Sequence, residues 1–266
     1  MTPGQGVLLV SAGFLAGAVN AVAGGGTLLT FPALLATGLS PVAANVTNTV
    51  AVWPGYLSGA ATYRHNVRQR RDLLVPLGVV SIIGAVLGTV ALLTAPDSVF
   101  RALVPFLVLG ATAVIALQPR ISAWLTARRP VTVPVGGRVV GDGGDGGVSR
   151  HRVGLLAATF AGAVYGAYFG GGLGIVLLAV LALGTGENLG QVNGVKTMLS
   201  LLINTVALVG FALYGPVDWW SALLVAPASL LGGVVGGRAA QRLRPGPLRV
   251  AVVIFGTAVG VYLLIR

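Results

Sequence analysis

Residues 7–39 read VLLVSAGFLAGAVNAVAGGGTLLTFPALLATGL, a run of 33 positions without a charged side chain. A straight helix of that length would reach about 50 Å, whereas about 20 residues cross the hydrocarbon of a bilayer. Gly24, Gly25 and Gly26 lie near the middle of the run, and Gly in a helix interior is unfavourable by about 1 kcal/mol relative to Ala. The run therefore predicts either a broken helix or a re-entrant hairpin. The alternative is that the glycines only allow a neighbouring helix to pack closely.

A second run of the same kind lies at residues 154–184, with Gly170, Gly171 and Gly172 near its middle. These glycines follow the first three by 146 positions. The order of further matches is kept along the chain: NVTNT at 45–49 aligns with NGVKT at 193–197, and Gly84 and Gly88 align with Gly233 and Gly237. An ordered series of matches indicates two related halves.

Six other segments are each long enough to cross a bilayer once as a helix. They lie at about 41–63, 73–95, 99–117, 193–215, 219–237 and 248–265. Hydrophobic residues make up 55% of the chain and charged residues only 9%, against roughly a quarter charged in soluble domains. The sequence therefore predicts an all-α integral membrane protein of two homologous halves. Each half has one glycine-broken or re-entrant segment and three transmembrane helices.

The stretch at 118–152 differs in kind from the rest, because it is rich in Gly, Pro and Arg and contains GDGGDGG. Such a composition is typical of a flexible linker. We therefore divide the chain into a first transmembrane repeat at 1–117, a cytoplasmic linker at 118–152 and a second repeat at 153–266.

The net charge of +11 would suggest nucleic-acid binding in a soluble chain. Here the arginines form three clusters between apolar segments, as expected where positive residues set membrane orientation. The clusters lie at 64–71, 120–152 and 238–249. If each glycine-broken segment crosses the membrane once, there are eight spans and the third cluster lies outside. If each forms a hairpin, all three clusters share the cytoplasmic side and the two halves are inverted, which is the topology we favour. Inverted repeats with broken helices are a recurrent plan of secondary transporters. We expect a multi-pass protein with a lipid partner and no nucleic-acid partner.

Few polar residues lie at membrane depth, and they are the candidate binding residues for a small anion. Broken helices expose main-chain N–H groups that bind anions without a charged side chain. Lys196 is the only lysine, and a charge at membrane depth costs about 3 kcal/mol. We expect it to face Asn48 and to balance the anion's charge. The candidate set is Asn20, Gly24, Gly25, Gly26, Asn45, Asn48, Thr49, Gly170, Gly171, Gly172, Asn193, Lys196 and Asn204.

Each of these side chains also has a structural interpretation. Lys196 could lie near its helix start and extend to the interface. Asn and Thr often join membrane helices by hydrogen bonds of modest strength. As a group, however, the four polar residues in 45–49 exceed what packing requires.

Other chemistry is missing from the sequence. The six acids, Asp72, Asp97, Asp142, Asp145, Glu187 and Asp218, fall in or beside predicted loops. The two histidines lie beside arginines, and there is no cysteine. Catalytic pairs, metal-ligand clusters and nucleotide-binding loops are absent. The sequence therefore predicts no enzyme activity, no metal and no cofactor.

The glycine and asparagine motifs resemble the sulfite exporter TauE/SafE family. The resemblance rests on GFLAGAVNAVAGGGTLLTFPALLATGLSPVAANVTNTVA at 13–51, YGAYFGGGLG at 165–174 and NGVKTMLSLLINT at 193–205. It covers both halves but not the linker. It implies a carrier in the inner membrane of a bacterium or archaeon for small sulfur-containing anions such as sulfite, thiosulfate or sulfonates.

We therefore expect a secondary carrier that exports or exchanges a small oxyanion at a site between the halves. An anion channel, or a carrier for an unrelated small organic anion, remains open as an alternative. A membrane enzyme or scaffold is a third class, which the lack of intramembrane acids and histidines disfavours. The oligomeric state is also open, with a homodimer as one candidate.

Overall fold

A computed structural model describes residues 1–22, 25–68, 71–127, 145–185, 189–239 and 246–265. The described residues form ten α-helices and no strand. The helices are α1 (Pro3–Val22), α2 (Thr27–Ala36), α3 (Pro41–Arg68), α4 (Arg71–Thr94), α5 (Asp97–Ala127), α6 (Asp145–Tyr168), α7 (Leu173–Thr185), α8 (Leu189–Tyr214), α9 (Trp219–Ala239) and α10 (Gly246–Ile265). The predicted all-α membrane class is confirmed.

Five of the described helices are long and apolar enough to cross a membrane, within α1, α4, α5, α8 and α9. Helices α2 and α7 are apolar but short, as is the apolar part of α10. Large apolar side chains on the outside, such as Ile83 and Leu87 of α4, are about half exposed. A bilayer accepts such faces because lipid takes the place of water.

The helices around the predicted linker are longer than expected. Helix α5 continues to Ala127 and α6 begins at Asp145. Both ends of the stretch 118–152 are therefore helical. Pro119 lies inside α5 without ending it. Residues 128–144 lie outside the described part of the chain.

The second glycine-broken segment is a hairpin. A methyl group built at Gly166 would meet the Leu173 side chain at 2.7 Å, and one built at Gly184 would meet the Leu155 side chain at 2.5 Å. The start of α7 therefore contacts the end of α6, and the end of α7 contacts an earlier part of α6. Helix α7 thus runs antiparallel to α6. In the first half, a methyl group at Gly26 would lie 2.2 Å from the carbonyl oxygen of Ala16, so the start of α2 lies against α1.

The two halves run in opposite directions. Helix α3 packs antiparallel to α8, because Trp53 Nε1 donates to Thr205 Oγ1 at 2.9 Å while the more C-terminal Gly59 lies beside the earlier Thr197. Helices α1 and α9 run parallel to α3, and α4 and α6 run parallel to α8. Helix α1 therefore opposes its counterpart α6, and α4 opposes α9. These directions are those of an inverted repeat.

Equivalent glycine contacts hold the halves together. Methyl groups at Gly84 and Gly88 of α4 would meet the carbonyl oxygens of Phe160 and Val164 of α6 at 2.7 and 2.2 Å. In the other half, Gly232 of α9 would meet the carbonyl oxygen of Phe14 at 1.9 Å, and Gly236 would meet Ala18 of α1 at 2.4 Å. Small residues allow this close packing of backbones.

The arginines of the described residues, except Arg101, gather at one side of the helical bundle. Helix α3 ends at Arg68, α4 begins at Arg71, and Arg238 and Arg249 lie at the end of α9 and the start of α10. The alternating helix directions bring these ends, with the end of α5 and the start of α6, to one side. We call this side the arginine face. The starts of α1, α3, α5 and α9 and the end of α10 lie at the opposite face.

Candidate functional site

In the second half, α6 and α7 are joined by residues 169–172, which we call the hairpin tip. This tip reaches the polar segment 45–49 of α3 in the first half. Asn45 is fully buried, and its Nδ2 donates to the main-chain oxygen of Tyr168 at 2.9 Å. Tyr168 is the last residue of α6, where carbonyl groups lose their helical partners. Asn45 therefore caps the interrupted helix. Its Oδ1 has no hydrogen-bond partner among the described residues.

Asn48 lies one turn further along α3 and contacts the re-entrant arm of its own half. The Thr30 hydroxyl of α2 donates to Asn48 Oδ1, and both residues are buried. Next to this pair, the rings of Phe31 and Phe169 meet edge to face, with centroids 5.7 Å apart. The arm of one half and the tip of the other therefore enclose the same part of α3.

The tip itself has the backbone geometry of an anion site. Gly170 and Gly172 have φ of +77° and +72°, conformations that favour glycine. The amides of Gly171 and Gly172 donate to no described residue, and successive free amides in such a turn form a concavity that attracts anions. The Tyr165 hydroxyl donates to the Gly171 carbonyl and ties the tip to α6.

The tip of the first half is closed differently. Asn20 Oδ1 accepts the Gly26 amide at 2.8 Å, so this amide is not available to a ligand. A methyl group at Gly25 would lie 2.4 Å from Ile115 Cδ1 of α5. In the other half, a methyl group at Gly172 would lie 3.5 Å from the carbonyl oxygen of Ala111, one turn before Ile115 on α5. Both tips thus lie against the middle of α5. Gly24 lies outside the described residues.

Lys196 is the charged residue of the candidate site. It lies on α8 with 4% of its surface exposed. No hydrogen bond or salt bridge joins its ammonium to a described residue. A buried charge without a partner is costly and is usually found where a ligand or ion completes it.

We expected from the sequence that Lys196 would face Asn48, but in the structure it does not. The methyl group of Thr197 lies 3.7 Å from a methyl group built at Gly59, whereas Thr47 Oγ1 accepts the amide of Asp218, beyond the other end of α8. Asn48 and Gly59 are eleven residues apart on α3, or about 16 Å along the helix. The prediction was wrong because the helices are antiparallel, which places equivalent residues at opposite ends of their crossing.

Each of the two residues therefore lies near its own face of the bundle. Asn48 is seven residues from the start of α3 at the opposite face, and Lys196 is seven residues from the start of α8 at the arginine face. At 1.5 Å per residue, each is about 10 Å from its helix start. The structure thus gives two polar positions, one neutral and one cationic, in place of one shared site.

Several other predicted residues have partners in the protein. The hydroxyl of Thr49 donates to the Asn45 carbonyl at 3.1 Å, and Asn204 Nδ2 donates to the Ser200 carbonyl at 2.8 Å. Both bonds stay within one helix. The carbonyl of Asn193 accepts the Thr197 hydroxyl at 2.7 Å. In segment 45–49, helix contacts account for more of the polar groups than we expected.

Thr30 is the site residue that sequence reasoning missed. It is fully buried and holds Asn48 from the re-entrant arm. Its position four residues after the triple glycine, on the first turn of α2, was the available signal. Isolated threonines in membrane helices commonly bond to their own backbone, so that signal was weak.

Comparison with known proteins identifies the family of the chain. The family model described as "Sulfite exporter TauE/SafE" matches residues 9–263, which include both hairpins and both polar positions. The chain belongs to the TauE/SafE family. No solved structure matches the chain.

Curated relatives match over nearly the whole chain at 27% identity. They include the "Probable membrane transporter protein" of Haemophilus influenzae, over 93% of this chain and 89% of that protein. Another is the "Probable membrane transporter protein ORF9" of a Sinorhizobium species, over 96% and 91%. A third is the "Probable membrane transporter protein YfcA" of Escherichia coli K12, over 94% and 86%. TauE/SafE membership and the apolar helices make the chain a multi-pass membrane transporter.

Proposed function

We propose that this transporter is a secondary carrier that exports a small sulfur-containing anion, such as sulfite, thiosulfate or an organosulfonate. The observation that carries the proposal is the buried ammonium of Lys196, which no described carboxylate neutralises. A small anion supplies the missing charge. The name of the matching family supports sulfite as the first substrate to test.

The second polar position completes the path. Asn45 binds the carbonyl of Tyr168, three residues before Gly171, and the amides of Gly171 and Gly172 have no described acceptor. An oxyanion held at this turn meets hydrogen-bond donors without a full positive charge. We propose that the anion binds first at Lys196 and then passes to this weaker, uncharged position. Release is easier from a neutral position, because no ion pair has to be broken.

The arrangement of the arginines supports export as the direction of transport. Positive residues favour the cytoplasmic side of a membrane, so we place the arginine face in the cytoplasm of a bacterial cell and the protein in its inner membrane. Lys196 is then the position nearer the cytoplasm. Movement from Lys196 toward Asn48 is export.

The inverted halves supply a means of alternating access. Opposed repeats have similar energies when their conformations are exchanged, which allows one half to rock against the other. Each hairpin tip contacts both its own half and α5, so a rocking motion would move both tips together. We propose that this motion opens the two polar positions in turn.

The test is anion flux in proteoliposomes. We expect saturable uptake of sulfite, thiosulfate or a sulfonate that is stimulated by the same anion on the far side. Lys196→Met should abolish uptake, and Arg249→Met is the matched control, because Arg249 lies at the start of α10 on the arginine face.

Three results would contradict the proposal. Unchanged transport in the double variant Lys196→Ala, Asn48→Ala would remove the site. Steady single-channel currents without stimulation from the far side would favour a channel. Transport of an unrelated organic anion alone, with no sulfur anion accepted, would replace the substrate class.

A further inference from the structure

Two cavities flank Arg101 at the opposite face. The larger has a volume of about 600 Å³ and lies between α2, α5 and α10, with Leu35, Val104 and Tyr262 among its walls. The smaller has a volume of about 530 Å³ and lies on the other side of Arg101, against Ala102. Cavities of this size hold ligands of several hundred daltons.

Arg101 and Leu263 each line both cavities, and Arg101 is the charged residue of the two. The Arg101 side chain is exposed, and no salt bridge joins it to Asp97, one turn earlier, or to any other described carboxylate. No acid lines either cavity. The guanidinium is therefore available to an anionic group, for which its five donors are suited.

The depth of Arg101 matches the headgroup region of a bilayer. It is four residues from the start of α5, while Tyr262 and Leu35 lie in the last turns of α10 and α2. These helix ends together mark one membrane surface. Tyrosine is enriched at this level of membrane proteins. All other arginines of the described residues lie at or toward the arginine face, so Arg101 is placed against the usual charge bias.

We infer that Arg101 and its two cavities form a binding site for one anionic phospholipid, with the phosphate on Arg101 and one acyl chain in each cavity. The pairing of one cation with two apolar grooves of similar volume fits one phosphate and two chains. The apolar walls alone do not select a lipid, because any acyl chain fills them equally. Selection comes from the charge at Arg101.

A lipid there would contact the end of the re-entrant arm. Leu35 and Pro32 of α2 line the larger cavity, and the same short helix holds Asn48 through Thr30. The lipid would thus support the arm from outside the bundle. This role does not depend on which anion the protein carries.

The site can be tested by native mass spectrometry of the purified full chain titrated with phosphatidylglycerol or phosphatidylcholine. We expect preferential binding of one phosphatidylglycerol. Arg101→Ala should weaken it about five-fold, as expected for one cation at a membrane surface. Arg120→Ala, on the same helix toward the arginine face, should not.

A second pair of variants tests the cavities without removing charge. Ala102 and Leu103 are adjacent and exposed, but only Ala102 lines a cavity. Ala102→Trp should displace the lipid and Leu103→Trp should leave it bound. Equal lipid binding within either matched pair would overturn the inference. So would displacement of phosphatidylglycerol by millimolar inorganic phosphate, or a change from dimer to monomer in Ala102→Trp, which would show a second copy in the cavities.

Discussion

Asn45 Nδ2 donates a 2.9 Å hydrogen bond to the main-chain oxygen of Tyr168, 123 positions later in the chain. This bond joins the third helix of one half to the interrupted helix of the other. It satisfies a carbonyl that the break at Gly170 leaves without a helical partner. The most polar segment of the membrane region is therefore also part of the structural connection between the halves.

Replacing Asn45 should destabilise the protein. Asn45→Ala leaves the partly buried Tyr168 carbonyl without its donor, which costs about 1–3 kcal/mol. The measurement is the thermal unfolding temperature in detergent. Thr94→Val is the control, because the Thr94 hydroxyl bonds to Val90 of its own helix at an exposed position. Equal unfolding temperatures for the two variants would show that the capping bond does not stabilise the fold.

The break at Gly172 should not tolerate a side chain. Its φ of +72° costs a non-glycine residue about 1–2 kcal/mol, so we expect Gly172→Ala to lower stability by that amount. Gly110 of α5 is helical and has no atom within 4 Å of a built methyl group. Gly110→Ala should therefore be neutral or stabilising by up to about 1 kcal/mol. If both variants unfold at the same temperature, the left-handed conformation is not a constraint.

The close helix contacts should respond equally in the two halves. Gly232→Ala and Gly88→Ala each place a methyl group within 2.2 Å of a carbonyl oxygen, which forces two helices apart. We expect both to lower the yield of folded protein in detergent, measured by size-exclusion chromatography. Gly154→Ala, with nothing within 4 Å, is the control. A large loss for only one of the pair would argue against equivalent packing of the halves.

Removing the charge of Lys196 should separate stability from function. Lys196→Met keeps the length of the side chain and removes a buried charge that has no described partner, so the unfolding temperature should rise or stay unchanged. Anion uptake in proteoliposomes should be lost. A marked fall in unfolding temperature would show instead that the ammonium supports the fold.

The membrane class, the helices and the two breaks could be predicted because each depends on residues that are close together in the sequence. Apolar runs and glycine triplets act through neighbours within a few residues. Segment 193–215, for instance, corresponds to α8, which runs from Leu189 to Tyr214. The helical ends of α5 and α6 extend into the stretch 118–152, although they contain the Gly, Pro and Arg that are typical of loops.

The sequence by itself determined that Asn48 and Lys196 hold equivalent positions in two repeats. Only the tertiary structure decided that they lie apart, each toward a different face, and that Thr30 belongs with Asn48. The physical reason is direction. A repeat in sequence states which residues correspond, whereas the antiparallel packing of α3 on α8 separates corresponding residues along the helix axis.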